Sequence, residues 1–219
     1  MVPVDTSKYP GALFPADRLR AFQFDNYEGK QLPDPLEICI YNLELSAWFH
    51  QRLSVLEIVL RNSLFDQLSK KFFDGTTAWA PSLLGQLDES RLNDFHRAKT
   101  RLSHASKIPT DSQVVTELNF GFWRQMLSAR YEATLWTPCL RHAFVNLKPK
   151  SRPKVYEAVD NLYRLRNRIA HSEPIIKRDL AADSSNINTV LEWLSPDAAR
   201  WSAIYLQPMP IFKPLGLPG

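Results

Sequence analysis

The chain has 219 residues, with 27 Lys and Arg against 23 Asp and Glu, a net charge of +4 and 44% hydrophobic residues. That is enough apolar material for one domain burying roughly 70% of the surface its unfolded chain exposes. Disordered, collagen-like and disulfide-stapled classes are excluded.

Residues 1–35 contain five prolines (Pro3, Pro10, Pro15, Pro33 and Pro35) and read as an irregular arm with room for a short helix from Ala16 to Phe24. The first twenty residues have no hydrophobic signal core, and no apolar run in the chain approaches the ~18 residues of a membrane span. The expectation is a soluble, cytoplasmic protein with no membrane partner. From Leu36 to Asp74, 39 residues pass without Gly or Pro. They suit one helix of roughly 58 Å or two helices meeting at a bend. Leu45, Phe49, Leu53, Leu56, Leu60, Leu64 and Leu68 form a stripe at three- and four-residue spacing. Ile58 and Phe65 stand opposite that stripe, which predicts a helix packed on two sides, central or in a subunit interface.

Leu87 to His104 reads as an amphipathic helix carrying Leu92, Phe95 and Leu102. Pro109 to Ser112 forms a turn with capping potential, and a short helix is expected to start at Ser112. The block Asn119-Phe120-Gly121-Phe122-Trp123 leads into a predicted helix from Arg124 to Trp136, which Pro138 ends. Phe120, Phe122 and Trp123 are expected in the core rather than as a base-stacking platform, as are Trp48, Trp79, Trp136, Trp193 and Trp201. The strongest late helix runs from Pro153 to about Glu173, with Pro174 closing it. Shorter helices follow at Asn188 to Leu194 and Asp197 to Leu206. The tail from Gln207 holds Pro208, Pro210, Pro214 and Pro218 and reads as extended or disordered. The expected fold is mainly α, with one helical domain over 36–206 between an irregular arm (1–35) and the tail (207–219).

Cys39 and Cys139, the two cysteines, lie a hundred residues apart, each in a segment that reads as helix, so no zinc module is expected. No Gly-rich phosphate loop occurs among the seven glycines. No cofactor or metal is implied. Charge is uneven: residues 141–178 hold ten Lys and Arg against three acids, a local +7 that leaves −3 for the rest. Such a segment suits a polyanionic partner, nucleic acid first, or is a solvated basic surface.

On a helical wheel, Val155, Val159, Leu162 and Ile169 fall within roughly 60° of Arg166, so this arginine projects from the apolar stripe itself. An arginine there is expensive to bury unless paired or facing an anion in a cleft. Arg164 and Arg168 fall on the solvated side. His171 lies five residues on, about 7.5 Å along the axis and ~140° around it. The two converge only if the last turn is irregular or a second subunit completes the site. The plain reading of His171 is a helix-terminal cap.

Arg166-Asn167-Arg168-Ile169-Ala170-His171 resembles the R-x(4-6)-H signature of the HEPN superfamily. His171-Ser172-Glu173-Pro174-Ile175 resembles that superfamily's Abi-like, abortive-infection branch. So do Leu56-Glu57-Ile58-Val59-Leu60-Arg61-Asn62 and the block at 119–123. The resemblance implies a HEPN-like helical bundle, a homodimer with two motifs facing one cleft, and a metal-independent endoribonuclease of the toxin or phage-defence kind. A possible RNA or protein antitoxin comes with it. In that reading His171 transfers protons, Arg166 binds phosphate and the transition state, and Asn167 orients the histidine or the scissile phosphate. Glu57 and Arg61, one turn apart, form an ion pair at the cleft floor or an ordinary surface pair. Lys148, Lys150, Arg152 and Lys154 contact the RNA backbone or line a solvated linker. Two alternatives stand beside it. One is a non-catalytic helical module that binds RNA or a protein. The other is an enzyme modified by a nucleotidyltransferase partner, which the absence of a tyrosine after His171 disfavours.

Overall fold

The computed structural model describes residues 19–22, 35–103 and 109–206. Most of the Pro-rich arm and the tail from 207 lie outside the described residues. Leu19 and Arg20 are helical and turn at once, so that Phe22 enters the core.

α1 is a single unbroken helix, Pro35–Phe72, of 38 residues. Pro35 opens it, Glu37 lies in its first turn, and Lys70 and Lys71 in its last, each charge opposing the nearby end of the helix dipole. The predicted stripe from Leu45 to Leu68 is fully buried. Packing on the second side is partial. Segment 73–80 folds back over the C-terminal third of α1, where Trp79 stacks on Phe65 at 5.4 Å, while Ile58 farther back remains exposed. Trp79 also meets Phe95 at 5.1 Å and Trp123 at 6.4 Å, so one aromatic cluster joins three helices to this loop.

Among the described residues, seven further α-helices surround α1: α2 (Pro81–Leu84), α3 (Glu89–Ser103), α4 (Asp111–Glu117), α5 (Phe120–Gln125), α6 (Arg152–Ala170), α7 (Leu180–Leu194) and α8 (Pro196–Tyr205). Among the described residues there is no strand, and the fold is mainly α. α1 touches α2, α4, α5, α6, α7 and α8, which makes it the axis of the domain. α4 begins at the anticipated turn: Thr110 and Gln113 form a reciprocal capping box. Cys39 and Cys139 are buried and are not joined in a disulfide, and burial pushes the Cys139 thiol up to about 11.

The helix expected from Arg124 to Trp136 is not formed. α5 stops at Gln125, and Met126 to Leu147 winds through short 3-10 and π turns. Distant side chains take over the groups a continuing helix would use. Arg152 Nη1 donates to Leu127 O at 3.1 Å and Lys150 Nζ to Phe144 O at 3.0 Å, while the Tyr131 hydroxyl donates to Asp88 at the start of α3. Tertiary hydrogen bonds thus override helix propensity over this stretch.

One later boundary and one burial also differ from the sequence reading. α7 starts at Leu180 rather than Asn188, because its weak helix formers have tertiary partners: Asp183 pairs with Arg178, and Asn186 Nδ2 donates to Ala158 O at 3.0 Å. Trp201, expected in the core, is 48% exposed. α8 turns Ala199 and Ser202 inward, and Trp201 stacks on Tyr205 outside.

Candidate functional site at the end of α6

α6 is amphipathic and capped at its start by the Ser151 hydroxyl, with Pro153 in the first turn. Val155, Val159, Leu162 and Leu165 are its fully buried residues. Arg166 continues that stripe beyond the last core leucine and is half-buried. No hydrogen bond, ion pair or ring contact engages its guanidinium among the described residues. Asn167 is half-buried and His171 exposed, and neither side chain has a partner among the described residues.

The helix ends three residues before the sequence suggests, at Ala170 instead of Glu173. Glu173 N donates to Arg168 O at 2.8 Å and Ser172 N to Ile169 O at 2.9 Å, the paired bonds of a Schellman motif. Ser172 takes the left-handed position at φ 53°, which usually falls to glycine. An ion pair of 3.4 Å between Arg168 and Glu173 spans the motif. His171 therefore stands at the cap position, but only its backbone caps the helix; the side-chain contact to terminal carbonyls that the plain reading requires is not made among the described residues. Its own amide still donates to Asn167 O at 3.0 Å, so the irregularity begins after it. The imidazole accordingly stays about 140° around the axis from Arg166. Asn167 and His171 share one face, and Arg166 looks out of another.

What fixes this turn is Asn42 of α1, which is 1% exposed. Its Oδ1 accepts from Ile175 N at 2.7 Å and from Ile176 N at 3.3 Å, and its Nδ2 reaches Glu173 O at 3.4 Å. With Ile175 itself fully buried, the backbone after the Schellman turn has its polar groups paired and an apolar anchor. The sequence reading missed Asn42. Its signal is the one that marked Arg166: a polar residue at a stripe position, three before Leu45 and seven before Phe49.

Other predicted residues are placed elsewhere. Glu57 and Arg61 form no ion pair, and Arg61 Nε is buried with no hydrogen-bond partner. They lie about 22 and 28 Å along α1 from Asn42. One chain therefore does not bring them to the Arg166–His171 turn. Lys150 and Arg152 hold the irregular segment, Arg152 also through the Glu132 carboxylate, so neither is a free cation for a backbone contact. Lys148 is exposed, and Lys154 Nζ sits 5.3 Å over the Trp193 ring. Phe120, Phe122 and Trp123 are all in the core.

Beside the His171 face stands a second polar group. Asp160 is nearly buried on α6 and binds Arg124 Nε at 2.5 Å and Arg164 Nη2 at 2.9 Å. Arg124 Nη2 donates to the Tyr156 hydroxyl at 2.7 Å, and its guanidinium lies 4.9 Å from the Tyr163 ring. Gly121 makes this close fit possible, since a Cβ there would stand 3.3 Å from Tyr163 and 3.1 Å from Asn119 Oδ1. Among the described residues no helix is long and apolar enough to cross a membrane, and no three of His, Cys, Asp or Glu gather as a metal site needs. No protein-family model, curated protein or solved structure matches the chain.

Proposed function

We propose that this chain is a metal-independent endoribonuclease of the HEPN, Abi-like kind, acting as a toxin or phage-defence effector. The observation that carries the reading is that Arg166, Asn167 and His171, on the last turns of α6, have side chains without a partner among the described residues, next to an exit segment that Asn42 pins. Arg124, Arg152 and Arg178 are each paired with a carboxylate, whereas Arg166, like Arg61, has no such partner among the described residues.

In the reaction, His171 accepts the proton of a ribose 2′-OH while that oxygen bonds to the adjacent phosphorus. The P–O5′ bond breaks, and the leaving oxygen takes up a proton, which yields a 2′,3′-cyclic phosphate and a 5′-OH. Arg166 hydrogen-bonds the non-bridging oxygens as charge builds on them. Because Arg166 and His171 leave the helix on different faces, the site is completed by a second copy, Arg166 of one chain facing His171 of the other. The basic segment 141–178 supports a polyanionic substrate, with Arg164, Arg168 and Lys177 still exposed on it.

The test is cleavage of RNA in excess EDTA by wild type, Arg166→Ala and His171→Ala, with helicity checked by circular dichroism. Each variant is expected to lose at least ~100-fold in rate. Fragments should end in cyclic phosphates. Full activity in His171→Ala would refute the assignment. Intact RNA from wild type together with a gel shift would identify a binding module instead.

A further inference from the structure

One turn before Asn167, α6 borders a small polar pocket of about 220 Å³ that α3 and α5 complete. Arg91, Asp94, Asn119, Gly121, Arg124 and Tyr163 line it. Drug-sized ligands occupy pockets of roughly 300–1,000 Å³, so this one suits a single functional group of a larger molecule.

The pocket's donors are only partly used. Arg91 spends Nε on Asp94 at 2.9 Å and Nη2 on the Ser90 hydroxyl at 2.8 Å. Arg124 spends Nε on Asp160 and Nη2 on Tyr156. Asn119 accepts from Phe122 N through Oδ1. Among the described residues Arg91 Nη1, Arg124 Nη1, Asn119 Nδ2 and Tyr163 Oη have no partner; Asn119 is exposed, and the other three atoms are not sealed from solvent. Three arginines (Arg91, Arg124 and Arg164) stand against two carboxylates (Asp94 and Asp160), a net +1. Two guanidinium edges, an amide and a phenol with spare donors match an acceptor-rich anion. The Asp160 pair and the flanking tyrosine rings hold Arg124 in place before any ligand arrives.

Tyr163, Asn167 and His171 are four residues apart in turn, and so form one line along α6 spanning about 12 Å. We infer that this pocket binds a phosphate group, and that its source is the RNA strand whose scissile phosphate lies at His171. The assignment of the source rests on the ribonuclease reading; the assignment of the ligand chemistry does not.

Two arms separate them. In the first, a 2′-O-methyl oligonucleotide, which binds but is not cut, is titrated by fluorescence anisotropy into wild type, Arg91→Gln, Tyr163→Phe and Arg97→Gln. Arg97 is exposed on the same helix and supplies the matched charge loss. Arg91→Gln is expected to weaken binding about tenfold and to reduce the salt slope by about 0.7, the value of one phosphate contact on a single strand. Tyr163→Phe should weaken it by about threefold, and Arg97→Gln should change little. Equal effects of Arg91→Gln and Arg97→Gln overturn the pocket as an RNA subsite. In the second arm, inorganic phosphate is titrated while the Gly121 amide resonance is followed. A shift in wild type that Arg91→Gln abolishes sustains the phosphate pocket, even if no oligonucleotide binds and the RNA reading falls. No shift in wild type, with no loss in the first arm, refutes the proposal entirely.

Discussion

Asn42 and Arg166 are both polar residues set in apolar stripes, and they meet opposite fates. Asn42 is buried with three hydrogen bonds to the turn after α6, whereas Arg166, on the helix leading into that turn, has no partner among the described residues. The difference separates the two reasons a chain places polarity on a stripe. A saturated group positions backbone, and a group left open at the edge of the core is available to a ligand.

The largest effect that sharpens this contrast is catalytic: His171→Ala should remove cleavage by at least ~100-fold with an unchanged melting temperature. Asn42→Leu should act the other way. Losing Oδ1 strands the amides of Ile175 and Ile176, for a destabilisation of about 3 kcal/mol in denaturant titration. Hydrogen exchange at those two amides should quicken at least tenfold, and Arg166→Ala should leave it alone. Unchanged exchange in Asn42→Leu would break the comparison. Asp160→Asn comes next. It weakens the hold on Arg124 and Arg164 and should cost about 2 kcal/mol, since a half-buried guanidinium keeps only a neutral acceptor. Smallest is Arg168→Ala: its ion pair with Glu173 is exposed on both sides, and a change below about 0.5 kcal/mol is expected.

Much of this was legible from periodicity. A long run without Gly or Pro and with leucines at three- and four-residue spacing suits one helix or two meeting at a bend; the stripe was legible in either case, and α1 is the unbroken form. The capping residues at 110–113 and Pro153 likewise act within a few residues of themselves. The segment after α5 was not legible, because the partners of its carbonyls, Arg152 and Lys150, lie more than five residues away in sequence and no local pattern announces them. The same applies to α7, whose weak helix formers are redeemed by Arg178 and α6. At the candidate site, the misplaced arginine could be seen on a wheel. The geometry of its helix end could not, since a serine in a left-handed cap looks like any other serine.

The sequence by itself thus determined the helical class, the apolar face of the long helix, and Arg166 as a polar residue on a stripe. Only the tertiary structure decided which of the candidate polar residues have partners among the described residues. It paired Arg152 inside the fold, set Glu57 and Arg61 far up α1 from the turn, and chose Asn42 as the anchor. The reason is one of range. Backbone propensity and hydrophobic period are read over one or two turns, whereas the partner of a buried polar group is set by which distant segments come to lie beside it.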